Sequence, residues 1–178
     1  VAMAKVAPED PSARLATAAE VTGAPPELEM YDPTEPHADD LRDRAAAAED
    51  AARAVDGVTN SEGAEAGWGL TDVTIAASNG FLGRYRRSSH YVSASVLAGS
   101  GQAMERDYDY DAKVFLSDLG DAASIGRNAG QRAVRRLGAK SPKTGSLPVV
   151  FDKRASASLL RHFASAVNGA AVARGTSR

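Results

Sequence analysis

The chain has 178 residues, of which 43% are hydrophobic and 25% charged, and its formal net charge is −2. These values suit one ordinary domain, or a small domain with an arm, and exclude wholesale disorder. Because the sequence contains no cysteine, disulfides, thiolate zinc sites and a cysteine nucleophile are excluded. No apolar run reaches the roughly 20 residues of a membrane span, and the first residues lack a secretory core. We therefore expect a cytoplasmic protein without membrane contact.

Charge is distributed unevenly along the chain. Residues 1–126 contain 10 Lys and Arg against 22 Asp and Glu, whereas residues 127–178 contain 11 Lys and Arg and a single acid, Asp152. Segments of opposite charge attract one another, or attract an anionic partner. We expect complementarity within the fold, or within one larger assembly, to account for this asymmetry.

Residues 1–36 are predicted to form an N-terminal arm. A short helix fits residues 1–20, with Pro8 or Pro11 near its start, and the segment 22–26 (TGAPP) ends it. Residues 27–36 are acidic and contain further prolines, which favours an extended stretch. We assign residues 37–178 to a single α+β domain.

The first helix of that domain is predicted over residues 38–55. Asp39 and Asp40 suit the positive end of a helix dipole, and Gly57 marks the stop. Apolar residues recur at spacings of three and four, which predicts one buried stripe. Its members are Leu41, Ala45, Ala48, Ala52 and Val55.

Residues 58–113 are predicted to form an antiparallel meander of three to five strands. Strand-like alternation occurs in residues 71–76, 84–86 and 91–97, and again in residues 104–110. The pair Asn79-Gly80 is typical of a tight hairpin turn. The glycines around Ser100 mark the next turn.

Helical periodicity then returns. Ser117 and Asp118 are predicted to cap a helix that reaches Arg136 or Leu137, just before Gly138. Its apolar side consists of Leu119, Ala122, Gly126, Ala129, Ala133 and Leu137. A strand is predicted over residues 147–151, and a last helix over residues 154–173. The apolar stripe of that helix consists of Leu159, Phe163, Ala166, Val167 and Ala170. The predicted fold class is α+β, an antiparallel-rich sheet covered by helices.

Alternating acids and aromatics form the most conspicuous cluster. They are Asp107, Asp109 and Asp111, with Tyr108 and Tyr110 between them. On a strand the three carboxylates share one face and the two tyrosines the other. A calcium loop is not indicated, because Ala112 and Asp118 stand where that loop needs Gly and Glu. We expect a solvated acidic face over two packed tyrosines.

The remaining polar residues do not form a catalytic constellation. His90 follows Ser88 and Ser89, but the Gly-x-Ser-x-Gly elbow of serine hydrolases is absent, and His37 is expected to be solvated in the acidic arm. A basic run, if exposed, could contact phosphates. It consists of Arg127, Arg132, Arg135, Arg136, Lys140 and Lys143. Because no aromatic residues interleave with it, we expect a solvated helix face or a contact with the acidic half.

Five segments carry a resemblance through their order and spacing. They are Gly57–Ala64 (GVTNSEGA), Ala77–Phe81 (ASNGF), Met104–Tyr110 (MERDYDY), Arg135–Ala139 (RRLGA) and Asn168–Ser177 (NGAAVARGTS). The chain resembles the TldD/PmbA family, historically called modulators of DNA gyrase, and is most similar to its PmbA (TldE) branch. The resemblance implies a two-subunit metallopeptidase that trims or degrades small, unfolded peptides. It also implies a mostly β C-terminal half that this chain lacks, so we expect the N-terminal α+β part of such a protein.

In this family the TldD-type chain carries zinc in a His-Glu-x-x-x-His motif on a helix, where the Glu would polarise a zinc-bound water. Laid on this chain after Leu159 and Leu160, the motif places Arg161, His162 and Ala166 at its first, second and last positions. Arginine stays protonated and alanine has no donor atom, so a zinc site is not supported. The resemblance therefore implies a subunit that is inactive alone, with no catalytic residue, metal or cofactor, and a TldD-type partner that holds zinc.

Two alternatives remain at this stage. A DNA- or gyrase-binding module would use the basic C-terminal third, although the missing aromatics make nucleic acid a weaker expectation. A self-sufficient metalloenzyme would use His37, His90 or His162 with nearby acids. The sequence leaves open the peptide substrate, the residues that contact a partner, and self-association.

Overall fold

The computed structural model describes residues 2–8, 14–21 and 26–177. The chain divides into two compact units, one formed by residues 22–141 and the other by residues 1–21 together with residues 142–178. Pro11 and most of the predicted break at residues 22–26 lie outside the described residues. The predicted boundary after residue 36 stays a prediction.

The larger unit contains a three-stranded antiparallel sheet with the order β1-β2-β3. The strands are β1 (Val58–Ala76), β2 (Leu82–Ala98) and β3 (Glu105–Lys113). The turn between β1 and β2 contains Gly80 at φ +89°, a left-handed conformation that glycine adopts without strain. This arrangement confirms the α+β class and the predicted meander.

The strands of the sheet differ in how far they are paired. β1 and β2 pair along their whole length, from Val58 opposite Ala98 to Ala76 opposite Leu82, with bulges in β1 before Asn60 and Gly63. β3 pairs only with the second half of β2, from His90 to Ala98. The first half of β2 therefore forms a two-stranded ribbon with β1 within the described residues.

Two helices of the larger unit cover one face of the sheet. They are α2 (Ala38–Arg53) and α3 (Ala122–Arg136). Alternate β2 residues, Val92, Val96 and Ala98 among them, are buried in a core with Ala48 and Ala52 of α2. From α3 the core receives Ala122, Ile125, Ala129 and Ala133. The predicted stripes on both helices are confirmed, because their central residues are buried and their end residues are half-buried.

The start of α3 differs from the prediction. Residues Leu116–Asp118 form one 3-10 turn, and α3 begins at Ala122. Its N-cap is Asp121, whose carboxylate accepts hydrogen bonds from the backbone N–H and the hydroxyl of Ser124. Ser117 and Asp118 were wrong as caps because Asp121 satisfies the first free N–H groups of the helix.

The smaller unit is helical and differs from the prediction in three places. It contains α1 (Ala2–Val6), α4 (Lys153–Ala166) and α5 (Gly169–Ala173). The predicted N-terminal helix is thus short, and residues 14–21 are not helical.

The predicted strand at residues 147–151 is wrong, because this segment has no strand partner among the described residues. The single helix predicted over residues 154–173 is two helices, since Asn168 caps a new one through the N–H of Ala171.

None of the helices in the described part of the chain is long and apolar enough to cross a membrane.

Candidate functional site

The three residues at which the sequence comparison would place the zinc motif, Arg161, His162 and Ala166, lie on α4. Arg161 and His162 are exposed, and Ala166 is half-buried near the end of the helix. The described residues contain no group of three or more His, Asp or Glu side chains that could hold a metal ion. Arg161 and Ala166 do not suit a zinc ion for a separate, chemical reason, because neither side chain has a lone pair to donate. This lack of zinc-binding side chains at two of the three positions follows from the sequence and does not depend on the fold.

A buried polar cluster that the sequence analysis missed joins the arm to the sheet. Asp32 is buried, and its carboxylate accepts hydrogen bonds from the N–H groups of Leu116 at 2.7 Å and Thr34 at 2.8 Å. The N–H of Asp32 donates to the hydroxyl of Ser88 at 2.8 Å, and that hydroxyl donates to the carbonyl of Val114 at 3.0 Å. The cluster thus ties residues 32–34 to β2 and to the chain after β3.

His90 completes this cluster without a hydrogen bond of its own. Its Nε2 lies 3.4 Å from Oδ2 of Asp32, its side chain is 1% exposed, and neither ring nitrogen makes a hydrogen bond within the described residues. Ser88 and His90 share the buried face of β2, but the Ser88 hydroxyl is held by Asp32 and Val114. No substrate reaches such a hydroxyl, so the cluster is structural. The sequence did indicate that Ser88 and His90 lie on the same face of a strand, because they are two residues apart. It contained no pattern that would have linked Asp32 to them.

Asp32 is held in its charged form. The backbone N–H of Leu116, followed by the hydroxyl and N–H of Thr34, lowers the pKa of Asp32 from 3.8 to about 2. Because these donors stabilise the carboxylate, the cluster tightens when Asp32 is ionised. Acid that protonates Asp32 therefore weakens these hydrogen bonds.

The acidic strand β3 faces the opposite way from the prediction. Asp107, Asp109 and Asp111 lie on the helix side, where Asp107 is 7% exposed, whereas Tyr108 and Tyr110 are 46% and 58% exposed. The two tyrosine rings stack on each other with their centroids 6.2 Å apart. The expected solvated acidic face over packed tyrosines is therefore wrong.

Arginines of α3 explain this inversion. Arg132 forms an ion pair with Asp109, and Arg136 contacts Glu105 at 3.1 Å and Asp107 at 3.7 Å. A half-buried carboxylate is stabilised by an arginine on the neighbouring element, which removes the need to face water. The expected contact between the basic run and the acidic half is therefore found at these two arginines.

A groove lies beside the part of β2 that β3 does not reach. It has a volume of about 820 Å³ and is bordered by consecutive β2 residues from Gly83 to Arg86 and by the segment 26–31. Its apolar lining consists of Leu28, Met30, Ile75, Phe81 and Tyr85. The backbone carbonyl of Met30 accepts the N–H of Ser88 at 3.0 Å and closes one end. The sequence analysis did not find this groove, because the segment 26–31 has no periodic pattern.

Charged side chains border the same groove. Arg84 contacts Asp72 at 2.5 Å, Arg86 contacts Asp72 at 3.3 Å, and the guanidinium of Arg86 lies 5.2 Å from the ring centre of Tyr31. The side chain of Arg84 lowers the pKa of Asp72 to about 2. One carboxylate thus holds two arginines on a short ribbon.

Comparison with known proteins assigns the class of this fold. The profile of the PmbA/TldA metallopeptidase central domain matches residues 31–137, which include the whole sheet, α2 and α3. The chain therefore belongs to the PmbA/TldD metallopeptidase family.

Relatives agree with this assignment. The chain is 30% identical to the metalloprotease PmbA of Escherichia coli O157:H7 over 97% of its own length and 38% of the relative. It is also 30% identical to a PmbA homolog of Haemophilus influenzae over 85% of its own length and 34% of the relative. The chain thus spans less than two fifths of these proteins.

Solved structures share the fold. A crystal structure from Bacteroides thetaiotaomicron that carries the name modulator of DNA gyrase superposes with a TM-score of 0.82 and 29% identity, covering 96% of this chain and 40% of that one. A Thermotoga maritima structure of the same name has a TM-score of 0.61 and 18% identity, covering 67% of this chain and 28% of that one. The second likeness concerns the fold alone.

Proposed function

We propose that this chain is the non-catalytic, PmbA-type component of a two-subunit zinc metallopeptidase that processes small, unfolded peptides. Its partner would be a TldD-type chain that carries the zinc. The proposal is supported by the residue types on α4, where Arg161 and Ala166 occupy the positions at which the family resemblance would place the two zinc-binding histidines. Family membership supports the reaction class. The missing zinc ligands support the assignment of catalysis to the partner and of a non-catalytic role to this chain.

The role of this chain would be to hold substrate rather than to cleave it. A sheet with unpaired strand edges binds extended peptides through backbone hydrogen bonds with little sequence preference. The first half of β2 offers such an edge within the described residues. Activity would then depend on both chains, because this chain would hold the peptide and the zinc site of the partner would hydrolyse it.

Reconstitution tests this proposal. The protein that contains this chain is co-expressed with the TldD-type chain of the same genome, and each is also purified alone. We expect a stable pair, about one zinc per pair, and peptide hydrolysis by the pair but not by this protein alone. His162→Ala should leave zinc content and hydrolysis unchanged, whereas changing the Glu of the partner's motif should abolish hydrolysis. Zinc bound by this protein alone, or activity lost in His162→Ala, would refute the proposal.

A second candidate function is a DNA- or gyrase-binding module, because the Bacteroides relative carries the name modulator of DNA gyrase. It would use the basic C-terminal third, and its affinity for duplex DNA would fall steeply with salt. A DNA titration at low ionic strength tests it. A flat titration curve removes this candidate and leaves the peptidase subunit unaffected.

A further inference from the structure

The free edge of β2 has a defined hydrogen-bonding pattern. In an antiparallel strand, alternate residues direct their N–H and C=O groups to opposite neighbours. The N–H of Ser88 reaches Met30 on the β3 side, and the carbonyl of Phe81 accepts the N–H of Ala77 on the β1 side. These two bonds fix the phase, so the backbone groups of Leu82, Arg84 and Arg86 point away from β1.

These backbone groups have no strand partner. The pairing of β2 with β3 begins at His90, so within the described residues nothing pairs with β2 from Leu82 to Arg86 on that side. The register with β1 is regular over the same stretch. From Leu82 to Ser88 the strand extends about 20 Å, which matches six to seven residues of an added strand.

The groove borders this edge as well as the sheet face formed by Ile75, Gly83 and Tyr85. Its border includes four consecutive β2 residues, and consecutive residues of a strand point to opposite faces. The segment 26–31 forms the other wall and already supplies one backbone acceptor, at Met30. The protein's own chain thus uses the last position of the edge and leaves the rest beside an open, apolar groove.

We propose that the groove between β2 and the segment 26–31 is a peptide-binding site, in which an extended peptide with alternating apolar side chains adds as an antiparallel or parallel strand to Leu82, Arg84 and Arg86. This inference rests on the proposed function, because it names where the substrate is held. Backbone groups of a strand edge are satisfied by another extended backbone, which identifies the occupant by its chemistry. Leu28, Met30 and Phe81 would contact its apolar side chains.

The probe is a fluorescein-labelled peptide, Thr-Val-Thr-Val-Thr-Val-Thr, together with two versions N-methylated at the odd or at the even residues. Binding to the full-length protein that contains this chain is measured by fluorescence anisotropy. Only one set of amides in an added strand faces β2, so one methylated version should lose tenfold or more in affinity and the other should bind like the parent. Equal binding of all three peptides would overturn the proposal, as would no binding of any.

Two variants locate the site on β2. Arg84→Ala and Arg84→Pro both remove the contact with Asp72, but only Arg84→Pro removes the N–H that faces the groove. Proline is tolerated where the N–H of an edge strand points outward, and Gly83 before it is already extended. We expect Arg84→Pro to bind the peptide roughly 5–10-fold more weakly than Arg84→Ala, with unchanged circular dichroism. Equal affinities would overturn the proposal.

If Arg84→Pro does not fold, the same comparison uses Phe81→Ala and Tyr91→Ala. Phe81 borders the groove, whereas Tyr91 is exposed on β2 away from it. Weaker binding in Phe81→Ala alone supports the groove, and equal binding in both refutes it. A concentration-dependent dimer that Arg84→Pro abolishes would identify a second copy as the occupant and also refute the proposal.

Assembly separates this inference from the proposed function. The pairing of each variant with the TldD-type chain is followed by gel filtration of the full-length proteins. Normal pairing with unaffected peptide binding overturns only the groove. Absence of any pair overturns the proposed function, while the methylated peptides still decide whether the groove binds an added strand.

Discussion

Gly126 is the position at which one added methyl group should do most damage. It lies on α3 where that helix crosses α2, and an ideal Cβ at this position would be 1.9 Å from the carbonyl oxygen of Ala48 and 2.8 Å from its carbonyl carbon. Backbone atoms of a helix cannot rotate away as a side chain does. Gly126→Ala therefore forces the two helices apart by about 1 Å or more.

The magnitude follows from three contributions. Overpacking against backbone costs about 3 kcal/mol, at the upper end of the usual range. Separating the helices weakens the packing of fully buried alanines on both, Ala48, Ala52, Ala129 and Ala133, by about 1 kcal/mol in total. Replacing a mid-helix glycine by alanine returns about 1 kcal/mol of helix propensity. The net loss is about 3 kcal/mol of unfolding free energy, a large share of the stability of an ordinary domain.

Thermal and urea unfolding, followed by far-ultraviolet circular dichroism, measure this loss. We expect Gly126→Ala to lower the Tm by about 10 °C. Gly130→Ala should cost less, because its Cβ would lie 2.7 Å from a methyl carbon of Val55 and 2.8 Å from the Ala52 oxygen, a milder overlap than the 1.9 Å at Gly126. Asn128→Ala, on the exposed side of the same helix, is the control and should be neutral or slightly stabilising. Equal Tm values for Gly126→Ala and Asn128→Ala would refute the close approach of the two helices.

Three further predictions concern the core, the polar cluster and the ion pairs. Val96→Ala should lower the unfolding free energy by about 2 kcal/mol in urea, since Val96 is fully buried; a loss below about 0.5 kcal/mol would contradict this. Asp32→Asn should lower the Tm above pH 4, and the difference from the parent should shrink as the pH falls from 4 through 2, because the folded pKa of Asp32 is about 2 and the unfolded one 3.8. A pH-independent difference would argue against the hydrogen-bonded carboxylate. Arg132→Met should cost about 1–2 kcal/mol by leaving Asp109 half-buried and unpaired, whereas Arg42→Ala at an exposed pair should cost almost nothing. Equal urea midpoints for these two variants would remove the argument for Arg132.

The sheet and the two covering helices could be predicted because their patterns repeat. The stripe through Ala48 and Ala52 recurs at helical spacing, and β2 alternates through Val92 and Val96, so each pattern specifies an element and its buried face. The hairpin was marked by a glycine that adopts a positive φ at Gly80. The sequence predicted an element correctly wherever the same hydrophobic spacing repeated over several helical turns or several strand residues.

Two features, the face of β3 that is buried and the burial of Asp32, were not predicted because they depend on contacts between residues far apart in the sequence. In β3 the tyrosines and the aspartates alternate equally well, and hydropathy alone assigned the tyrosines to the core. The outcome depended on Arg132 and Arg136, which lie more than twenty residues later and neutralise the acids from α3. Similarly, Asp32 is buried because the N–H of Leu116 meets its carboxylate across 84 positions of sequence. A buried charge is predictable only when its partner is known.

The same ion pairs bear on the choice between a peptide and a nucleic acid as the ligand. Arg132 and Arg136 belong to the basic run that would contact phosphates, but both are engaged with carboxylates of β3. A phosphate would have to displace these carboxylates, which reduces the gain from releasing counterions. The unpaired backbone N–H and C=O groups of the β2 edge are uncharged, and their natural complement is an extended peptide backbone. Within the larger unit, the engagement of Arg132 and Arg136 by carboxylates of β3 thus favours a peptide over a nucleic acid as the ligand.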